Sequence, residues 1–255
     1  MTITVSGLWI GPSLSPIEQL SIQSFINHGY LYDLYVYETV QNIPANVNIR
    51  DASEILDRRE IFTYQNSSFS AVSNIFRFKL LYMKDTIWVD LDIVCMKFYD
   101  FSKDKYIFIS EPDKNYEKEK LGSCLMKIPK NDIIAFDAIE KCKREKEKVL
   151  KGEIVWGIGP RTVKYIVQKY ALQKYIKPWR FSNCCSNKHY ECIIDPNFKE
   201  KGKYFNSLSS IPPDNHFIHL WHEFMRRNNF TKEIPPNTFL HEIQTITLTK
   251  SQSQI

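Results

Sequence analysis

No apolar run in these 255 residues approaches the roughly 20 needed to cross a bilayer. The opening residues, M-T-I-T-V-S-G-L-W-I-G, carry neither a charged n-region nor a small-residue cleavage site. No signal peptide is therefore expected, and the chain reads as cytoplasmic. It has no C-x-x-C pair, and six cysteines in a chain of this length are too few for a disulfide framework, so reduced thiols are the default. Dense basic stretches are lacking as well. A net charge of +5 at pH 7 fits an anionic ligand or an acidic membrane surface. It falls short of the footprint of a nucleic-acid binder, so no nucleic-acid partner is expected. Internal repeats and low-complexity tracts are also missing.

What is present is a folded globular chain, 43% hydrophobic and 14% aromatic. The expectation is one domain over residues 1–244 and a poorly ordered tail over 245–255. Thr2 to Ile10 reads as a buried strand. Ser15-Pro16 opens a helix through Asn27, with Ser as cap and Pro at its first position. Tyr32 to Glu38 reads as a second strand. Strand, helix, strand with short loops opens an α/β nucleotide-binding fold. Pro44 to Asn48 reads as loop, and 50–61 fits either a short strand or a helix. Further on, strands are expected at 106–110, 123–128, 175–178, 190–194 and 216–221, and helices at 131–150 and 162–172. Lys114 to Lys120 reads as a charged loop, and K-C-K-R-E-K-E-K as the solvated end of a helix.

The segment that organises the chain runs from Ser70 to Lys97. Apolar residues at Val72, Ile75, Phe76, Phe78, Leu80, Leu81 and Tyr82 predict a broad-faced buried helix. After a turn at Lys84-Asp85, T-I-W-V predicts a strand covered on both faces. That strand ends in Asp90-Leu91-Asp92. Two carboxylates at the end of a buried strand are costly without a partner. A divalent cation shared with a substrate phosphate, Mg²⁺ or Mn²⁺, is one such partner. Taken alone, a D-x-D triplet fits a solvated loop better than a cation site, and it is the buried helix, turn and buried strand before it that favour the cation.

Several other residues carry two readings. Trp9, ending the first strand, fits a core aromatic or a platform for a nucleotide base at the mouth of the sheet. Asn74 and Arg77 share a helix face, and a guanidinium there suits either phosphate oxygens or a salt bridge across the helix. W-G-I-G-P-R (Trp156 to Arg161) fits a turn before a helix, or a place where glycine lets a saccharide approach. His219 alternates with Trp221 on one strand face, whereas His222 points the other way. Cys184, Cys185, His189 and Cys192 could be read as a zinc site. Their spacing, C-C-x3-H-x2-C, matches no common zinc module, so ordinary core or loop cysteines are expected.

S-x-x-S-N-I-F-R-F-K-L-L-Y followed by W-V-D-L-D-I-V-C resembles the DXD region of family-32 glycosyltransferases, retaining enzymes of the GT-A fold. I-H-L-W-H-E-F-M-R-R-N-N resembles the C-terminal element of the branch that builds bacterial capsule and lipooligosaccharide. The resemblance implies a GT-A-like α/β fold with a mixed, mainly parallel central sheet. It implies that Asp92 binds the metal and that Asp90 contacts metal and ribose. It implies that Arg77 and Asn74 reach the donor sugar and diphosphate, with Asn74 replacing the usual Asp. It also implies that Trp9 stacks on the base and that His219 completes the metal site, favouring Mn²⁺ over Mg²⁺. Trp221 would cover the diphosphate through its indole N–H, and Trp156, Gly157 and Gly159 would lie on the acceptor side.

The function so implied is transfer of a sugar from a nucleotide-diphosphate donor, UDP-linked by expectation, to a saccharide or lipid-linked saccharide acceptor with retention. Arg226, Arg227 and Lys232 are candidates for peripheral contact with the inner membrane face. A metal-dependent phosphohydrolase and a non-catalytic glycan- or nucleotide-binding module remain as alternatives.

Overall fold

The structure, a computed structural model, describes residues 2–63, 68–153, 158–198, 204–228 and 233–252. It begins with β1 (Thr4–Trp9), α1 (Pro16–Asn27) and β2 (Leu31–Val36). Pro16 stands at the first helical position, where a missing N–H costs nothing. The Glu18 carboxylate reaches back to accept the Ser15 amide at 2.7 Å, which satisfies one donor left open at the helix start. β2 returns parallel to β1, Thr4 opposite Leu31 and Trp9 opposite Val36.

β3 (Val47–Asp51) adds parallel to β2 as an edge strand, most of it exposed. Its sequence, V-N-I-R-D, carries no buried face, which is why 44–48 read as loop and 50–61 could not be assigned. After it come two short 3₁₀ turns. They are capped by Asp51 and Asp57, whose side chains accept the amides of Ser53 and Arg59.

α2 (Ser70–Met83) then crosses to the other side of β1 and leads into β4 (Ile87–Val89), which pairs parallel to β1. β5 (Ile93–Cys95), β6 (Phe108–Pro112), β7 (Glu119–Leu121) and β8 (Leu125–Met126) follow. Next are α3 (Ile133–Leu150), α4 (Pro160–Lys169), β9 (Ile176–Lys177) and α5 (Glu191–Ile194). The described chain closes with β10 (Phe217–His219), α6 (His222–Arg227) and α7 (Phe239–Gln252).

The main sheet has the order β3-β2-β1-β4-β8, parallel except for the antiparallel β4–β8 pair. The mixed, mainly parallel sheet expected from the sequence is therefore present. Its strand order reverses at β1. The chain moves outward through β2 and β3, then returns to lay β4 on the opposite side. In open α/β sheets, the crevice at the carboxyl ends of two such strands is where ligands bind.

β4 is buried on both faces. Trp88 packs with Phe76, Phe78 and Leu80 of α2, whereas Ile87 and Val89 join Ile22 and Phe25 of α1 on the other side. A third apolar cluster joins Ile17 and Leu20 to β10 residue Ile218 and to Leu240 and Ile243 of α7. A separate pair, β5 and β10, runs antiparallel with His219 opposite Ile93. β6 lies between β7 and β9.

Three expectations are corrected. Residues 190–194 were read as a strand, but 191–194 form α5. The charged loop before Gly122 includes β7, held to β6 with Ser110 opposite Leu121. The tail expected to be poorly ordered from residue 245 is helical to Gln252. Thr247 is buried there, and its carbonyl accepts from Asn27 of α1 at 2.7 Å. No helix among the described residues is long and apolar enough to cross a membrane.

Gly7 lies in β1 directly under the crevice. A Cβ built there would stand 2.5 Å from Leu91 Cδ1, 2.7 Å from the Tyr32 hydroxyl and 3.2 Å from the Val89 carbonyl. Tyr32 is fully buried and cannot yield easily. Gly7→Ala should cost about 1–3 kcal/mol of stability through overpacking, read as a lower midpoint in urea unfolding. A midpoint equal to wild type would contradict this packing.

Candidate active site at the switch point

The β1–β4 register pairs Val5 with Ile87 and Ser6 with Trp88. It therefore brings Trp9, at the end of β1, and Asp90, just past β4, to the same edge of the sheet. Asp90 is fixed from three directions. Its amide donates to the Cys124 carbonyl at 2.7 Å. Its Oδ1 accepts the Trp88 indole N–H at 2.7 Å and lies 3.0 Å from Arg77 Nη2.

Arg77 rises from α2, with its guanidinium 4.9 Å from the Trp88 ring centroid. It donates to the Ser73 hydroxyl at 3.1 Å and to the Ser123 carbonyl. Only 4% of its side chain is exposed, against 27% for Asp90. Arg77, expected to reach a donor sugar, is engaged here by protein groups. A buried guanidinium must have its donors filled, and here protein groups fill them. Its visible work is to hold Asp90 in place.

Asn74 is engaged in a similar way. Its amide Nδ2 donates to the Ile158 carbonyl at 2.7 Å, its Oδ1 accepts the Ser123 hydroxyl at 3.3 Å, and the residue is buried. It joins α2 to the start of α4 through these bonds. Gly159 belongs to the same joint. Its φ is +127°, and a Cβ there would fall 2.6 Å from Asn74 Nδ2. This close approach gives one reason for a glycine here. Trp156 and Gly157 lie outside the described residues.

Asp92 is positioned from the C-terminal side. The amide of Leu220 donates to its carbonyl at 2.8 Å, and the amide of His222 donates to its Oδ2 at 3.0 Å. His219 Nε2 stands 3.3 Å from that same oxygen. The His219 amide is itself anchored on the Ser182 carbonyl at 2.9 Å. The Trp221 ring lies 3.9 Å from the His219 ring, but its indole N–H donates to the Cys185 carbonyl at 3.2 Å. That N–H was expected to face a diphosphate and is instead spent within the protein. The His222 imidazole meets Glu18 at 2.9 Å, so α6 is tied to the start of α1.

Charge follows this arrangement. Burial pushes the Asp90 carboxyl up against the pull of Arg77, and the neighbouring Asp92 charge adds to the rise. Burial works on Asp92 too, but the charge and hydrogen bond of His219, with the His222 amide, bring it below the usual carboxylate range. His219 goes the other way. Burial disfavours its charged form, yet Asp92 and Cys124 lift it well above an ordinary histidine.

Two nearby groups escaped the sequence reading. Ligand atoms of Glu111, Cys124 and His219 all lie within 4.8 Å of one another. Burial raises the Glu111 carboxyl, opposed by His219 and supported by Asp90 and Asp92. The signal was present: Glu111 stands toward the end of a buried strand, in I-S-E-P, as Asp90 stands at the end of β4.

Asp90, Asp92 and His219 are donor types that a divalent cation takes, but here, among the described residues, it is Glu111, Cys124 and His219 whose ligand atoms all lie within 4.8 Å of one another. The anchoring bonds meet one oxygen of each carboxylate, Oδ1 of Asp90 and Oδ2 of Asp92. The other oxygens, Oδ2 of Asp90 and Oδ1 of Asp92, have no hydrogen-bond partner among the described residues. The 3.3 Å between Asp92 and His219 is close to the separation of about 3 Å between adjacent ligands of an ion bound at 2.0–2.2 Å. Trp9 completes the edge half-buried, and its indole nitrogen has no hydrogen-bond partner among the described residues.

No protein-family model matches this sequence, and no curated protein matches it. Among solved structures the chain is similar to the WbbM bifunctional glycosyltransferase in its apo form, with TM-score 0.51, 14% identity and 97% of this chain covered. The match spans 49% of that protein, about half its length. The GlyE glycosyltransferase of Streptococcus pneumoniae TIGR4 is matched with TM-score 0.49 and 11% identity, over 99% of this chain and 64% of that one. The PaToxG glycosyltransferase is matched with TM-score 0.48 and 16% identity, over 66% and 69%. At these identities the likeness speaks to fold, and the α/β architecture is GT-A-like.

Removing Arg77 should leave Asp90 without its counter-charge. Arg77→Met is expected to cost about 3–5 kcal/mol in urea unfolding, the usual loss when one partner of a buried pair is removed. The loss should be clearly smaller in an Asp90→Asn background. Equal losses in the two backgrounds would show that the pair is not coupled.

Proposed function

We propose that this protein is a retaining glycosyltransferase of the family-32 type, moving a sugar from a nucleoside diphosphate to a saccharide acceptor. The reading takes a UDP-sugar as donor and Mn²⁺ as cofactor, with Mg²⁺ as the substitute. The observation that supports it is that the β1–β4 register sets Trp9 and Asp90 at one edge of a GT-A-like sheet, with Asp92 and His219 paired at 3.3 Å and close enough to shift the Asp90 carboxyl. A half-buried aromatic beside an acidic cation site suits a base at one end and a diphosphate at the other. The motif resemblance supplies the family, the stereochemistry and the nucleotide.

Asp90, Asp92 and His219 would hold the cation. Once bound, the ion offsets negative charge growing on the departing diphosphate. The chain's own part is positioning. Arg77 and Trp88 orient the Asp90 carboxylate, and the 219–222 segment orients Asp92 through backbone amides. Retention then follows from attack by the acceptor hydroxyl on the face the diphosphate leaves, with a phosphate oxygen taking the proton. Glu111 is the carboxylate a covalent route would use, so a glycosyl adduct on Glu111 in mass spectra would overturn this mechanism.

The acceptor we assign is a saccharide or lipid-linked saccharide of a bacterial surface polysaccharide. Peripheral membrane contact is weaker than the sequence suggested. Arg226 and Arg227 both pair with Glu223 at 2.9 Å, and Lys232 lies outside the described residues. One observation favours a second reading. Glu111 brings a further carboxylate toward the site, as a metal phosphohydrolase would need.

The test is a donor scan. The protein is incubated with Mn²⁺ and each common UDP- or GDP-sugar, and slow nucleotide release is followed without acceptor. Release from one UDP-sugar, lost in Asp92→Asn, is the expected result. Inorganic phosphate released from simple phosphate esters, with every nucleotide sugar intact, would favour the hydrolase.

A further inference from the structure

Three cysteines outside the candidate active site meet in one place. Cys184 and Cys185 follow the segment that anchors His219, and Cys192 lies on α5. Their sulfurs lie within 4.8 Å of one another, with Cys184 Sγ and Cys185 Sγ at 3.8 Å. Cys184 and Cys185 are fully buried and Cys192 is 2% exposed. A single buried thiol is an ordinary small hydrophobe. Cys95 and Cys142 fit that description, Cys124 lies with Glu111 and His219, and none of these three appears in a multi-cysteine group among the described residues.

We infer that Cys184, Cys185 and Cys192 form a structural binding site for a thiophilic cation, Zn²⁺. Zn–S bonds of about 2.3 Å in tetrahedral geometry place neighbouring sulfurs about 3.8 Å apart, which is the Cys184–Cys185 separation. A disulfide would need the two sulfurs near 2.05 Å. Three sulfur donors without a carboxylate select a soft cation over Mg²⁺ or Mn²⁺. The three thiolates would fill three of the four tetrahedral positions and leave the fourth to a water or other small ligand. Binding displaces thiol protons, Zn²⁺ + 3 RSH → [Zn(SR)₃]⁻ + 3 H⁺, so uptake strengthens as pH rises.

The location gives the ion a role. The Ser182 carbonyl accepts the His219 amide at 2.9 Å, and the Cys185 carbonyl accepts the Trp221 indole at 3.2 Å. The Cys184 carbonyl accepts the Phe205 amide at 2.9 Å. Zinc would tie this segment to α5, which packs on α7, and so brace the strand that presents His219. His189 is stacked on Tyr116, and its Nδ1 meets the Tyr116 hydroxyl at 3.0 Å; it is not among the three.

The test is Co²⁺ titration of the full chain, reduced, chelator-treated and anaerobic. The expected result is an intense near-ultraviolet thiolate-to-cobalt absorption that saturates at one equivalent and is displaced by Zn²⁺. Zn²⁺ should also raise the melting temperature by several degrees. The band should vanish in Cys192→Ser and in Cys185→Ala, each checked for folding by circular dichroism. It should persist in Cys142→Ser and in Cys124→Ser, the second control excluding the thiol beside His219. Absence of the band in wild type, its survival without Cys192, or a disulfide within the trio in freshly reduced protein would overturn the assignment.

Discussion

The ion pair between Arg77 and Asp90 is the constraint on which the remaining geometry rests. A guanidinium with 4% of its side chain exposed is tolerable only if its donors are filled. Ser73, Ser123 and Asp90 fill them, and the Trp88 ring covers its face. Those partners come from α2, from the segment before β8 and from the end of β4. One side chain therefore sets the relation of the helix to the two strands beneath the crevice. Asp90 gains a fixed direction from the same contacts.

A second anchoring system works from the C-terminal half. The 219–222 segment donates backbone amides to Asp92 and brings His219 beside it, and the His222 ring is held by Glu18 at the start of α1. The acidic pair thus sits between two scaffolds. Asp90 is raised by burial and by its neighbour, and Asp92 is held down by His219. Two carboxylates pushed apart in this way form an arrangement that a cation would complete. The cysteine trio lies behind the second scaffold, so the proposed zinc would stiffen the side of the site that Arg77 does not reach.

Much of this was legible in the chain. The switch from helical to strand periodicity between Val72 and Val89 located α2, β4 and the acidic triplet, and Ser15-Pro16 marked the start of α1. What failed has physical reasons. β3 is an exposed edge whose side chains carry no alternation. Residues 191–194 form only one helical turn, too short for periodicity to separate from a strand. Trp221 and Asn74 have side-chain chemistry that suits a ligand equally well, and tertiary contacts far apart in sequence decide their partners. Glu111 carried a signal, a carboxylate toward the end of a buried strand, but its approach to His219 and Cys124 is set by tertiary packing. Asp92 and His219 pair at 3.3 Å and both act on the Asp90 carboxyl, which Arg77 holds at 3.0 Å.

The central claim is that the edge shared by Trp9, Asp90, Asp92 and His219 binds a nucleoside diphosphate through a divalent cation. Calorimetric titration with UDP, with and without Mn²⁺, tests it most directly. The account predicts binding at one site that depends on Mn²⁺, is abolished in Asp92→Asn and is weakened at least tenfold in Trp9→Ala. Binding that ignores Mn²⁺ and survives Asp92→Asn, or no binding at all, would contradict it.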